Sequence, residues 1–217
     1  MNYQTILFDL DGTLTDPKEG ITKCVAYGLR HFGIQVDDLD VLERFIGPPL
    51  TDSFSEYYGL DEEQTRVAIE KYRDRFNEKG WAENIPYPGA AELLKDLRAA
   101  GKTLAVATSK PEQAAIRILQ HFGMADDFHL ICGAPLDNPA GSRKSCVIRD
   151  ALARLGITDL TGVVMVGDRH HDVDGAHEVG LPAIGVLYGY GDRPEHETAG
   201  AEHIAEDIPQ LRSLLLG

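Results

Sequence analysis

Apolar residues follow two rhythms along this chain, and each change of rhythm marks an element. "YQTILFDL" near the start is a nearly continuous apolar run and predicts a strand buried on both faces. "ITKCVAYGLRHFG" instead puts Ile21, Val25, Leu29 and Phe32 on one helical face and stops at Gly33. "VLERFIG", "TDSFSEYYG" and "DEEQTRVAIEKYRDRFNEKG" also read as helices, and Ile69, Tyr72 and Phe76 form a stripe expected in the core of a helical unit. Residues 17–85 are therefore helix-rich, with no convincing strand.

After "NIPYPG" the rhythms alternate. Helix "AAELLKDLRAAG" precedes strand "KTLAVAT", and helix "PEQAAIRILQHFG", opening at Pro111 as its first residue, precedes strand "HLICG". Helix "RKSCVIRDALARLG", strand "GVVMVGD", helix "HDVDGAHEVG", strand "PAIGVL" and helix "IPQLRSLLL" complete the chain. This alternation predicts an α/β fold, a Rossmann-like parallel sheet flanked by helices, to which the first strand also belongs. The helical block interrupts that sheet. The expected division is a core of residues 1–16 and 86–217 and an inserted helical cap domain of residues 17–85, hinged near "TDPKEG" and "NIPYPG". Ligands of such sheets bind beyond the carboxyl ends of the strands.

Composition narrows the functions. The chain of 217 residues is 43% hydrophobic, enough for a substantial core. Its formal net charge of −14, from 35 acids against 21 basic residues, argues against nucleic acid and anionic membranes as partners. No run of 18 apolar residues and no signal-peptide pattern is visible, and Cys24, Cys132 and Cys146 form neither a zinc spacing nor a disulfide framework. A cytoplasmic protein, monomeric or a small homo-oligomer, is expected.

An acidic chain is a poor host for an anionic substrate unless its site is neutralised, and the strand ends suggest how. "ILFDLDGTLTD" delivers Asp9 and Asp11, "LAVAT" delivers Thr108, Ser109 and Lys110, and "VVMVGDRHHD" delivers Asp168 and Asp172. Arg143 and Lys144 precede the helix between them. Carboxylates, a hydroxyl and a lysine thus converge on one sheet edge. Oxygen-only ligands favour Mg²⁺, held by one or two carboxylates plus a substrate phosphate.

"DLDGTLTD", "VATSK", the lysine before "VIRDAL" and "VGDRHHD" together resemble, in order and spacing, the four motifs of the haloacid dehalogenase superfamily. The second acid of the D-x-D pair resembles its phosphatase branch. "FDLDGTLTD", "IGPPL", "YPG" and "GDRHHD" are similar to the phosphoglycolate-phosphatase and 5′-nucleotidase group with a helical cap. The resemblance implies that Asp9 is the nucleophile, Asp11 the general acid and base, and Asp9, Asp11 (through its carbonyl) and Asp168 the Mg²⁺ ligands. It assigns Thr108 and the Ser109 amide to the phosphoryl oxygens, Lys144 to the space between Asp9 and phosphate, and Asp172 to a metal-bound water or to Lys144. Gly12 gives room for the turn beside the phosphate. The implied activity is Mg²⁺-dependent hydrolysis of small phosphate monoesters, of the phosphoglycolate or nucleoside monophosphate type. A phosphomutase of the β-phosphoglucomutase type uses the same motifs. A non-enzymatic phosphoacceptor or regulatory domain is the rival of another class.

The remaining features read more plainly. Gly47, Pro48, Pro49 and Leu50 form a stiff turn, a candidate specificity loop of the cap. Arg44 and Lys79 are expected on the surface, with a substrate contact as the alternative. "SRKSCVI" lacks the proline that often follows the superfamily's lysine, whereas Lys110 has one. Lys144 is nevertheless preferred, because it opens the helix before the last motif, and Lys110 is expected to face solvent. Asp16 is expected to cap the next helix. His170 and His171 are expected to be solvated, and "GVLYGYGDRPEHETAGAEH" an ordinary surface loop.

Overall fold

The structure, a computed structural model, describes residues 3–135 and 139–217. The chain divides into two compact units, Met1–Asp16 with Pro86–Gly217, and Pro17–Ile85. In chain order, strand β1 (Thr5–Phe8) and the short β2 (Thr15–Asp16) lead to the helices of the second unit, α1 (Lys18–Arg30), α2 (Leu50–Tyr58) and α3 (Glu62–Arg75). The short β3 (Ile85–Pro86), α4 (Ala90–Ala99), β4 (Thr103–Pro111), α5 (Glu112–His121) and β5 (Leu130–Ala134) follow. Then come α6 (Lys144–Leu155), β6 (Val163–Gly167), α7 (His170–Val179), β7 (Ala183–Val186), α8 (Arg193–Ala199), β8 (His203–Ala205) and α9 (Ile208–Leu216).

The larger unit holds a six-stranded sheet ordered β5-β4-β1-β6-β7-β8, and every pairing in it is parallel. β1 lies at its centre, and its Ile6, Leu7 and Phe8 are wholly buried, as a parallel strand covered on both faces requires. Strand residues alternate between faces. Leu7, Ala105, Ala107 and Met165 share a core with Val147, Ile148, Ala151 and Leu152 of α6 and Val173 and Ala176 of α7. α4 packs on β4 and on α9.

The chain order fixes where a ligand can sit. From β1 the sheet grows through β4 and β5 on one side, and through β6, β7 and β8 on the other. The carboxyl end of β1 is therefore the switch point, the usual ligand crevice of such sheets. Phe8 is in register with Val106 and with Val166, so the segments leaving β1, β4 and β6 emerge side by side.

Two expectations change here. Pro111 is the residue before α5, not its first helical residue. The glycine-rich "GVLYGYGDRPEHETAGAEH" contains the end of β7, all of α8 and the start of β8, and His196 within it is wholly buried.

In the smaller unit, α1 buries Ile21, Val25 and Leu29 as its period requires. A Cβ on Gly28 would come within 2.8 Å of the Ala68 carbonyl oxygen, so α1 and α3 approach backbone to backbone. For that reason the buried face of α3 is Thr65, Ala68 and Tyr72, while Ile69 and Phe76 of the expected stripe are only half-buried. An Asp61–Gln64 capping box starts α3, and a π turn over Phe76–Gly80 ends it.

Candidate active site

Asp9 is the first residue beyond β1, and its N–H donates to Val166 O at 2.9 Å, pinning it to β6. Asp168 is the first residue beyond β6, and Asp172 lies in the first turn of α7. Carboxylate oxygens of Asp9, Asp168 and Asp172 gather within 4.8 Å of one another. Lys144, the first residue of α6, places Nζ 2.9 Å from Asp9 Oδ1 and 2.7 Å from Asp172 Oδ1. It also donates to Ala107 O at 3.1 Å. Thr108, buried in β4 where its register with β5 shifts, accepts from the Lys110 N–H at 3.2 Å, and Ser109 is half-buried beside it.

Glycines make this convergence possible. Gly12 has φ +83°, and a Cβ on it would lie 2.0 Å from Asp168 Oδ2. A Cβ on Gly167 would strike the Asp172 carboxyl at 2.1 Å, and one on Gly175 would meet the Lys144 side chain at 2.7 Å. The segment after β7 closes on the same carboxylate: the Tyr190 N–H donates to Asp168 Oδ2 at 2.8 Å. Gly189 and Gly191 each approach Asp168 too closely to carry a side chain. The Tyr188 hydroxyl donates to Thr13 O at 3.2 Å, and the Tyr190 hydroxyl donates to Asp16.

The charges are only partly balanced. Burial, with the Asp172 and Asp9 carboxylates, pushes Asp168 well above the ordinary carboxylate range. Burial pushes Asp172 up to about 6, against the pull of Lys144. Burial alone would lower the Lys144 ammonium, but the facing Asp172 and Asp9 outweigh it and hold it above its ordinary value. Burial raises Asp11 too, against Lys110. Lys144 satisfies Asp9 Oδ1 and Asp172 Oδ1, whereas Asp11 Oδ1 and Asp168 Oδ1 are buried without a hydrogen-bond partner among the described residues. Unpaired buried oxygens are costly, and such oxygens on a carboxylate cluster suit a cation.

Several expectations need correction. Lys110 does not face solvent: its side chain is 6% exposed, and Nζ donates to Asp11 Oδ2 at 2.5 Å. A register shift between Thr108 and Pro111 turns it inward. Asp16 does not cap α1, whose cap position is Pro17; it accepts from Tyr190 instead. His170 is held by Glu195, which accepts from its N–H at 2.7 Å and contacts its Nδ1 at 2.8 Å, and His171 is partly buried. The segment read as surface loop forms one wall of the site. Its signal was the alternation "YGYGD" directly after a strand's carboxyl end. Gly47, Pro48, Pro49 and Leu50 lie in the other unit, where Gly47 has φ +104° and Pro49 precedes α2. There Arg44 sits 4.3 Å over the Tyr57 ring, and Lys79 is exposed beside Glu78.

Comparison with known proteins agrees with this geometry. The family described as haloacid dehalogenase-like hydrolase matches residues 6–186. The chain is 43% identical over 215 residues to a 5′-nucleotidase of Pseudomonas aeruginosa, covering 99% of this chain and 96% of that one. It is 44% identical over 188 residues to the tyrosine-protein kinase PtkA of Mycobacterium tuberculosis, covering 87% of this chain and 63% of PtkA. The crystal structure of a predicted phosphatase from Clostridium acetobutylicum superposes with TM-score 0.94 at 48% identity, over 99% of this chain and 98% of that one.

Proposed function

The chain belongs to the haloacid dehalogenase-like hydrolases and is a phosphatase of that family, and from this we propose that it hydrolyses small phosphate monoesters through an aspartyl-phosphate on Asp9. Phosphoglycolate and nucleoside monophosphates head the candidate substrates; the likeness to a 5′-nucleotidase supports the second. The observation that carries the reading is Lys144 wedged between Asp9 and Asp172, beside a third carboxylate whose Oδ1 has no partner.

The donor set fits a hard divalent cation: oxygen only, clustered within 4.8 Å, with unpaired buried atoms. Asp9, Asp168 and the Asp11 carbonyl would hold Mg²⁺, and Asp172, engaged by Lys144 and the Arg169 N–H, would orient Lys144 beside it. When bound, it supplies positive charge to the transferring phosphoryl oxygens.

In the first half-reaction an Asp9 oxygen bonds to phosphorus while the ester P–O bond breaks. Asp11 gives its proton to the departing oxygen. The Thr108 hydroxyl and the Ser109 N–H hold phosphoryl oxygens, and Lys144 offsets the repulsion between Asp9 and the phosphate. In the second half a water attacks phosphorus, Asp11 takes its proton, and the bond to Asp9 breaks to release phosphate. The helical unit, residues 17–85, is assigned the selection of the leaving group, with Gly47 to Leu50, Arg44 and Lys79 as candidate contacts. No described helix is long and apolar enough to cross a membrane; dispersed cysteines support a reducing, cytoplasmic setting.

The test is turnover of p-nitrophenyl phosphate with and without Mg²⁺, in wild type and Asp9→Asn. Loss of at least about a thousandfold in the variant is expected; near-full activity there would overturn the mechanism. Phosphate transferred to a sugar hydroxyl instead of water indicates a mutase, and transfer to a tyrosyl peptide the activity that PtkA is named for. Stoichiometric, stable phosphoprotein indicates a phosphoacceptor.

A further inference from the structure

Asp11 stands apart from the cluster formed by Asp9, Asp168 and Asp172, and it has its own cation. We propose that Lys110 is a positioning residue for proton transfer: it clamps Oδ2 of Asp11, so that Oδ1 is the oxygen that gives and takes the proton. This rests on the phosphatase reading above and deepens it.

The clamp is tight. Nζ lies 2.5 Å from Asp11 Oδ2, and the two side chains are 6% and 16% exposed. Asp11 Oδ1 is buried and has no hydrogen-bond partner among the described residues. A free carboxyl can rotate and exchange its oxygens; one with Oδ2 tied to a buried ammonium cannot without breaking a charge-assisted bond.

The fold also invests in delivering this lysine. The Lys110 N–H bonds back to Thr108 Oγ1 at 3.2 Å, where the pairing of β4 with β5 loses register. Pro111 then fixes φ at −53° before α5. β5 packs against the kink so closely that a Cβ on Gly133 would come within 2.6 Å of the Lys110 carbonyl oxygen and 2.5 Å of Glu112 Cα. The kink is thus wedged, and Lys110 has a fixed base from which to reach Asp11. Its partner differs from those of Lys144, which contacts Asp9 and Asp172. The two lysines divide the acids between phosphoryl transfer and proton transfer.

Leaving groups separate these roles. An alkyl alkoxide needs a proton as it departs, whereas p-nitrophenolate does not. The readout is kcat/KM, which covers only the steps up to departure of the first product. For Lys110→Met, kcat/KM on an alkyl phosphate is expected to fall about a hundredfold, and on p-nitrophenyl phosphate by less than about fivefold. Lys110→Arg should recover part of the alkyl activity. The double variant Lys110→Met, Asp11→Asn should be no worse on the alkyl ester than Asp11→Asn alone, because both remove one device. Equal losses on both esters, no loss, or additive losses would overturn the proposal; a phosphate-binding or merely structural lysine gives equal losses. Should Lys110→Met fail to unfold cooperatively, the same ratio is read on Lys110→Gln. If Asp11→Asn itself does not discriminate between the esters, the general-acid assignment falls. If it does and Lys110→Met does not, only the clamp falls.

Discussion

Each unit contains a knot of charged side chains, and the two are built on opposite terms. In the helical unit Arg75 grips Glu83 with both ends of its guanidinium, at 2.6 and 2.9 Å. Lys23 bridges Glu83 at 3.3 Å and Glu19 at 2.5 Å, and Arg75 reaches the buried Cys24 Sγ at 3.3 Å. Two cations meet two acids, both Glu83 oxygens are taken, and the Arg75 bonds hold that carboxyl below its ordinary range. In the sheet unit Lys110 pairs with Asp11 and Lys144 with Asp9 and Asp172, and Asp168 has no ion pair among the described residues, so four acids meet two paired cations. There burial raises Asp11, Asp168 and Asp172, and Asp11 and Asp168 each keep a buried oxygen without a partner among the described residues. A satisfied knot ties elements together. An unsatisfied one is tolerable where a ligand completes it, and on the function proposed above that ligand is a divalent ion with a phosphate, so the imbalance itself points to function.

The largest effect should come from removing the cation on which the unbalanced knot depends. Lys144→Met leaves Asp9 and Asp172 buried and unpaired, a loss of about 3–5 kcal/mol in urea unfolding of the metal-free protein. It should also lower kcat about 10²–10³-fold on alkyl and aryl esters alike. Adding Asp172→Asn should restore part of the stability and none of the activity. Arg75→Met in the balanced knot should cost only about 1–3 kcal/mol, since that pair is partly exposed, and leave kcat/KM on an aryl phosphate unchanged.

Mg²⁺ sharpens the contrast without any assay of turnover. At a hundred times its Kd it should stabilise the protein by about 2.7 kcal/mol, raising Tm by about 5–10 °C for a chain of this size. Asp168→Ala should abolish the shift, and Glu83→Gln should keep it. A full shift in Asp168→Ala would show that the unpaired oxygens are not the metal's ligands.

How much of this was legible in the sequence follows from where information is local. β1, β4, β6 and β7 announce themselves because a strand buried on both faces must be apolar throughout, as Ile6 to Phe8 and Val163 to Val166 are. Asp9 and Asp168 were readable from such boundaries, directly after β1 and β6, and Lys144 from the start of α6. Lys110 was not: its direction depends on a register shift against β5 and on the wedge at Gly133, which are contacts between distant segments. The three-residue edge strand β8 is too short to show a period. Tyr190 was missed because its contribution to Asp168 is a backbone N–H, which no side-chain pattern encodes. Asp16 looked like a cap by residue type, yet Tyr190, 174 positions away, claims it.

The smallest effect tests the balanced knot by pH. Glu83 has a folded-state pKa below its ordinary 4.5, so the unfolded chain binds its proton more readily than the native one. Its contribution is therefore fully present above about pH 4.5 and is lost as pH falls through the lower native value. Because Glu83 retains some exposure, its share is about 1 kcal/mol. Other carboxylates titrate in the same window, so the informative quantity is the gap between wild type and Glu83→Gln. Urea midpoints should differ at pH 6 and converge toward pH 3. A gap that persists or widens on acidification would mean that Glu83 is held by its shape and hydrogen bonds and not by its charge, and the contrast between a neutral clamp and a charged site would lose its electrostatic basis.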